Sequence, residues 1–507
     1  MIVEDQIDVL RFLEDPASYG GDAATVSMTT THISVIFFVG QRVFKLKRAV
    51  RLPYVDFSTV AQRLAACQQE LTLNRRTAPT LYLGVRRITR EADGRLAFDG
   101  QGELVDAVVE MRRFDESTLF NTLAAEGRLT PVLLTGLARM IARFHADAAI
   151  SLQGGGEAGI ASVLDGNERS LASTDVFDAG TVAALTAQMR AALHRHAPLL
   201  EARRRAGKVR RCHGDLHLRN ICLVDGAPTL FDCLEFDEDI ATIDVLYDLA
   251  FLVMDLWHHG LEAEANLVFN RYLDECDETD GLSLMPFFMA IRATVRAHVT
   301  ATQAAQAADS QRAALVSQAR AYAALALRLL APVPVRMVAV GGLSGTGKST
   351  VAAAIAHRIG PAPGARVLAS DRIRKRLHGV LAEVRLPPQA YDPKVSERVY
   401  AVLVQEAQAV LEAGHAVVAD AVFNRPASRE RIERVARAAH APFTGIWFHA
   451  QPETLYTRVD ARRGDPSDAT VEVLRVQLEN QKDRADWIWI ATDEGIAATV
   501  SKVIEVI

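Results

Sequence analysis

Residues 33–38 are apolar but for Ser34 and 42–47 mix apolar with charged positions, with Gly40 between the two segments, which predicts two β-strands joined by a turn. The pattern then takes helical spacing over 58–76 and returns to strand-like segments at 81–88 and 105–111, predicting one helix followed by two further strands. Strands, one helix and strands make a small N-terminal lobe over about 1–112. From about 117 to 198 the pattern is mostly helical, including 132–146, and short apolar runs at 221–224 and 229–231 then read as strands. Helical spacing returns over 244–330 in long Ala-rich stretches, so 113–330 reads as a helical lobe.

Pro332 and Pro334 close that helical run and place a domain boundary at 331–335, because a proline ring clashes with the preceding turn and removes an amide donor. Beyond it the pattern changes. Residues 335–340 are an apolar run ending at a Gly-rich loop, 349–359 have helical spacing, and 367–369 and 416–419 read as buried parallel strands. Each of these two strands is followed closely by a carboxylate, Asp371 or Asp420. A last strand at 444–449 and a helical tail complete an α/β layer structure over 335–507.

At 507 residues the chain exceeds what a single core sustains, in agreement with two domains, and 49% hydrophobic with 23% charged residues is the balance of an ordinary soluble protein. Against 57 Lys and Arg stand 62 Asp and Glu, a net charge of −5, which argues against nucleic acid as the partner. The basic runs at 203–211 and 372–376 are read first as solvated helix faces. Five cysteines without CxxC or zinc spacing imply buried thiols. No basic-then-apolar leader opens the chain and no apolar run is long enough to cross a bilayer, so a cytoplasmic enzyme with access to ATP is expected and a membrane partner is not.

The first candidate for chemistry is the segment His213-Gly-Asp-Leu-His-Leu-Arg-Asn220. Phosphoryl transfer needs an acceptor for the hydroxyl proton, ligands for Mg²⁺ and a cation for the nucleotide phosphates. Asp215 and Asn220 have the spacing of a kinase catalytic loop, a base and a metal ligand on one tight turn, and Asp232 follows a hairpin at a strand end where a second metal carboxylate belongs. His145, on an apolar helix, is read as a satisfied core histidine rather than a ligand.

The segment resembles the aminoglycoside phosphotransferase and choline kinase superfamily, in which HGDxxxxN is followed by an aspartate equivalent to the kinase DFG aspartate. The resemblance implies a bilobal protein-kinase-like fold over 1–330. It implies further that Lys45, in Val43-Phe-Lys-Leu-Lys47, holds the nucleotide phosphates, with Lys47 the alternative on the same strand face. Glu70 would orient that lysine, and Glu110 with Met111 would form the hinge against adenine. The Gly-rich phosphate loop of that fold is missing, and Thr29-Thr-Thr-His-Ile-Ser34 stands in its place.

The second candidate is the loop Gly342-Leu-Ser-Gly-Thr-Gly-Lys-Ser349, a P-loop in the strand, loop, helix setting the motif requires. Backbone amides of Gly342, Ser344, Gly345, Thr346 and Gly347 converge on phosphate in such a loop, Lys348 neutralises the β/γ region, and Ser349 and Thr350 open the helix, with the Ser349 hydroxyl on Mg²⁺. The flanking segments Ser370–Leu377, 420–425 and 458–463 are similar to those of the gluconate kinase, chloramphenicol phosphotransferase, zeta toxin and polynucleotide kinase group. That resemblance implies a P-loop NTPase fold, a parallel sheet flanked by helices. Asp371 would orient or deprotonate the acceptor hydroxyl, Arg374 would grip substrate, Arg462 or Arg463 would reach the transferring phosphate from a lid, and Asp420 would position metal or water.

Together the motifs predict a bifunctional, ATP- and Mg²⁺-dependent phosphotransferase acting on hydroxyl groups of small molecules, of sugar, aminoglycoside-like or nucleoside type. Two alternatives stand beside it. One domain is a regulatory ATP-binding module or ATPase that controls the other, or the P-loop half is a zeta-toxin-like nucleotide-sugar kinase.

Overall fold

The structure is a computed structural model, and it describes residues 4–20, 25–52, 55–235, 237–461, 466–479 and 486–507. The chain packs as two compact units, Met1–Val163 with Ala197–Asp255, and Leu164–His196 with Leu256–Ile507. Residues 332–336, where the prolines fall, carry neither helix nor strand. Helices Glu262–Glu275, Met285–Gln306 and Asp309–Leu330 fall in the second unit.

The first unit holds a six-stranded antiparallel sheet in the order Val26–Thr30, Ser34–Val39, Arg42–Lys47, Glu103–Arg112, Tyr82–Arg90, Leu96–Phe98. The alternation of side chains along these strands puts Phe37, Phe44, Leu46, Ile88 and Val108 on one buried face. Helix Val60–Asn74 covers the other face and starts at a capping box, in which the Thr59 hydroxyl accepts the Gln62 amide and the Gln62 side chain accepts the Thr59 amide. Strand Val26–Thr30 was absent from the sequence reading. Thr29 and Thr30 lie in it, and residues 31–33 form the hairpin turn to the next strand.

The second unit carries a five-stranded parallel sheet in the order Arg366–Ala369, Val417–Asp420, Met337–Gly342, Phe443–His449, Ile488–Ala491. The sequence reading ended this sheet at 444–449; strand Ile488–Ala491 corrects that. It was overlooked because its residues, Ile-Trp-Ile-Ala, form one short apolar run on the sheet edge, with Ile488 exposed. Val338, Val340, Val418, Ile446 and Phe448 form a core with Val351 and Ile355 of helix Lys348–Ala356. Parallel strands buried on both faces read as continuous apolar runs, which is why this half was easy to place from sequence.

Candidate active sites

In the first unit, successive odd positions of strand Arg42–Lys47 send Lys45 and Lys47 to one face, where helix Val60–Asn74 presents the fully buried Glu70. Lys45 Nζ lies 2.9 Å from Glu70 Oε1 and 2.6 Å from Asp232 Oδ1. Lys47 Nζ lies 2.5 Å from Glu70 Oε2 and pairs also with Glu235. The two lysines differ in access: the Lys47 side chain is 0% exposed and that of Lys45 13%. Burial alone would lower the Lys45 ammonium, but Asp232, Glu70 and Glu235 outweigh it and hold it well above the ordinary lysine value. Burial likewise pushes the Glu70 carboxyl up, and the two lysines more than reverse that, so it is held low.

The loop at 213–220 is pinned from beneath. Asp248 accepts the His213 amide at 3.1 Å and the Gly214 amide at 2.9 Å, and Asp255 accepts the Leu218 amide at 3.0 Å. Gly214 has φ +84°, and a Cβ there would stand 3.0 Å from Ala241 Cβ, so the loop requires glycine at this point. Asn220 Nδ2 donates to both the carbonyl and the carboxylate of Asp215 at 2.9 Å. His213 Nε2 donates to the Phe231 carbonyl at 3.0 Å, which ties the loop to the residue before Asp232. Asp232 itself has φ 59°, a left-handed conformation costing about 1–3 kcal/mol, and its amide donates to the Tyr82 hydroxyl at 3.1 Å. His145 is buried and donates to Asp248 at 3.1 Å, as a core histidine. His145, Cys212 and Asp248 lie close enough to hold a metal, but both Asp248 oxygens already accept loop amides.

Glu110 and Met111 lie at the end of strand Glu103–Arg112 as expected, paired on both sides of the sheet. The Glu110 carboxylate is taken by Arg42 and by Arg86. Sequence reasoning missed Asn74 and Arg76 at the end of the Glu70 helix. Asn74 accepts the Cys233 amide at 2.8 Å, and Arg76 donates to the Arg211 carbonyl at 2.8 Å. Both follow Glu70 by less than two helical turns, the one signal that marked them. Cys67, Cys212, Cys222 and Cys233 are buried and unbridged, as the composition implied, whereas Cys276 is unbridged but only half-buried.

In the second unit the predicted residues gather at the carboxyl ends of the parallel strands, where open α/β sheets bind ligands. Gly342 ends the central strand, Asp420 ends its neighbour opposite both Val340 and Ala369, and Asp371 opens helix Ser370–Leu377 just past the edge strand. Gly342 has φ +137°, and a Cβ there would come within 2.4 Å of the Phe448 carbonyl, so the loop follows a path open only to glycine. Gly345 and Gly347 also have positive φ, and Gly347 is the N-cap of the helix that begins at Lys348. Lys348 Nζ is folded onto the Leu343 carbonyl at 2.9 Å, while Ser349 and Thr350 are exposed on the first helical turn. The Ser344 amide donates to Gln477 Oε1 at 2.9 Å, from helix Val471–Glu479, whose Leu474 is buried against Leu343.

Arg374 turns inward. It is buried, donates to the Ala390 carbonyl at 2.7 Å and lies 4.6 Å over the Tyr391 ring, which leaves its Nε without a hydrogen-bond partner. Beside it Lys375, which the sequence reading put on a solvated face with the run 372–376, is instead buried and pairs with Asp468 at 2.6 Å, and Asp468 also accepts the Leu386 amide at 2.9 Å. Arg462 and Arg463 lie outside the described residues.

Comparison with known proteins assigns the two motifs to two different family models. Residues 64–284 match the model of a phosphotransferase enzyme family and residues 337–486 that of an AAA domain. An uncharacterized protein of Mycobacterium tuberculosis and one of Mycobacterium bovis are each 30% identical over 480 residues, covering 92% of this chain and 91% of theirs. The chain belongs to their family. It joins an aminoglycoside phosphotransferase-type domain to a P-loop kinase-type domain, both of phosphotransferase families. Among solved structures, a choline/ethanolamine kinase family protein from Mesorhizobium loti is 13% identical with TM-score 0.39, covering 64% of this chain and 98% of its own. The tunicamycin resistance protein of Deinococcus radiodurans is 17% identical with TM-score 0.25, covering 34% and 95%. Among the described residues no helix is long and apolar enough to cross a membrane.

Proposed function

We propose that the protein is a bifunctional ATP-dependent phosphotransferase whose two centres each move the γ-phosphate of ATP to a hydroxyl of a small molecule of sugar, aminoglycoside-like or nucleoside type. The observation that carries this reading is the presence, in one chain, of two sets of nucleotide-handling groups. One is Lys45 held between Glu70 and Asp232 beside the bonded pair Asp215 and Asn220; the other is the glycine path 342–347 ending on the helix of Lys348.

In the first centre, Lys45 is the phosphate lysine, favoured over Lys47 by its partial exposure and its contact with Asp232. Asp215 takes the proton of the incoming hydroxyl, its carboxylate aimed by the Asn220 amide, and the Asp248 anchor keeps the loop from rotating away. In the second centre the loop amides and Lys348 hold the β- and γ-phosphates, and Asp371 receives the acceptor proton. The donor sets suit a hard cation: Asn220 and Asp232 in the first centre, Ser349 and Asp420 in the second, all oxygen ligands. Mg²⁺ at these positions would neutralise charge on the transferring phosphoryl group.

Labelled ATP incubated with the protein and a bacterial small-molecule extract tests the reading. Phosphorylated products are expected, one set lost in Asp215→Ala and a different set in Lys348→Ala. ATP hydrolysis at full rate with no acceptor labelled would refute it.

A further inference from the structure

Helix Glu262–Glu275 belongs to the stretch matched by the phosphotransferase family, yet its contacts finish the P-loop sheet. Among the described residues Arg366–Ala369 is an edge strand, with only Val417–Asp420 beside it, and an edge strand leaves amide and carbonyl groups unpaired. Asn270 supplies what a further strand would. Its Oδ1 accepts the Val367 amide at 2.7 Å and its Nδ2 donates to the Ala365 carbonyl at 3.1 Å. A helix has no spare backbone groups for this in its middle, and a carboxamide carries donor and acceptor together. One turn earlier, Asn266 Nδ2 donates to the Pro363 carbonyl at 3.0 Å and to that of Ala365 at 3.1 Å.

One turn later, Asp274 binds Arg366 at 2.8 Å and Arg372 at 3.2 Å, and pairs with Arg271. Burial would raise the Asp274 carboxyl, but Arg366, Arg271 and Arg372 together hold it below its ordinary value. Asn266 and Asn270 are 2% exposed and Arg366 5%, so these bonds form out of water, where leaving one unmade is costly. The ties fall on both sides of Asp371: Arg366 and Val367 on the strand before it, Arg372 directly after it.

We propose that Asn270 and Asp274 are positioning residues for Asp371, so that the acceptor side of the P-loop centre is set by a helix from outside the P-loop fold. This rests on the role proposed above for Asp371. A P-loop half cut free at residue 335 lacks the groups that fix its acceptor helix.

The test uses the full chain carrying Asp215→Ala, which silences the first centre, with Asn270→Ala, Asp274→Ala or Arg372→Met added. Hydrogen exchange over residues 366–377 is expected to rise at least about tenfold in Asn270→Ala, since its local opening no longer breaks those bonds. Transfer from labelled ATP to a bacterial small-molecule extract should fall about ten- to a hundredfold through kcat, as expected for a displaced catalytic group, while Mg·ATP affinity stays within about twofold. Arg372→Met leaves the buried asparagines in place, so it folds even where Asn270→Ala does not, and should show the same kcat-only loss to a lesser degree; Asp274→Glu should restore most of the Asp274→Ala loss. Unchanged exchange across 366–377, or transfer that falls only in step with ATP affinity, would overturn the proposal. Should Asp371→Asn transfer at the parental rate, the role given to Asp371 is what fails, and the clamp is then judged by exchange alone.

Discussion

The two centres are made of different material. In the first, the nucleotide side is a cluster of charged side chains brought together from far apart, with Lys45 reaching 25 residues to Glu70 and 187 residues to Asp232. In the second it is one contiguous stretch of backbone, residues 342–349, whose donors are peptide amides and whose shape comes from glycine. A side-chain cluster depends on protonation states and on the packing that holds each charge. A backbone loop has no titrating group among its amides and depends instead on conformations that other residues cannot adopt. The contrast predicts that the first centre is the acid-sensitive and mutation-sensitive one in stability, and the second the one sensitive to any added side chain.

The largest effects come from removing the reacting groups themselves. Asp215→Ala should cost its centre at least about 10²-fold in turnover, the contribution of a positioned base, and leave the other centre unchanged. Gly342→Ala should cost the P-loop centre comparably, because a displaced set of phosphate donors is worth about 10²-fold or more. Product profiles from labelled ATP read both. Loss of both product sets in either variant would erase the distinction between the centres.

Next in size is a pair of substitutions that separates function from folding within one cluster. Lys47→Met leaves Glu70 and Glu235 short of a buried partner and should lower unfolding free energy by about 3–5 kcal/mol in denaturant melts. Lys45→Met should abolish turnover with a smaller stability loss, because its side chain is partly exposed where that of Lys47 is fully buried. Equal stability losses would mean that the two lysines are interchangeable.

Asp248→Asn removes one charged acceptor from beneath the catalytic loop and should cost about 1–3 kcal/mol, with kcat falling and nucleotide affinity preserved. A drop in affinity alone would contradict its anchoring role.

The acid response follows from Glu70. Its carboxyl is held below the unfolded value of about 4.3, so its stabilisation is complete above that pH and is lost as the pH falls through the lower folded value. Glu70→Gln should therefore flatten the stability profile below about pH 4.3. An unchanged acid slope would remove Glu70 from the account.

Smallest is Gln477→Ala, which frees the Ser344 amide. Titration calorimetry with Mg·ATP should show affinity at the P-loop changed by no more than about 0.5–1.5 kcal/mol, the value of one hydrogen bond.

The same contrast explains what the sequence disclosed. The P-loop was legible because its chemistry and its spacing are one contiguous string, and its setting between strand Met337–Gly342 and helix Lys348–Ala356 follows from apolar runs that need no partner to be recognised. Strands 42–47 and 221–224 fell on the predicted residues because short segments rich in apolar residues, bounded by hairpin turns, mark them. In the first centre local spacing marked Asp215, Asn220 and Asp232, whereas Lys45 and Glu70 came only through the family resemblance. Asp248 lies 35 residues from His213 and Glu235 lies 188 from Lys47, distances over which no local pattern survives. Asn270 was invisible for another reason: an asparagine on a helix reads as a surface residue until the edge strand that it pairs is in view. The inward turn of Arg374 was hidden likewise, since the segment it holds, residues 388–396, follows 14 or more residues later and carries no motif of its own.

The most direct test of the account is a comparison of three proteins, wild type, Asp215→Ala and Lys348→Ala, each given labelled ATP and the same small-molecule extract. Two product sets, each missing from one variant and intact in the other, are predicted. A single set abolished by both substitutions, or ATP consumed with no labelled acceptor in any of the three, would contradict it.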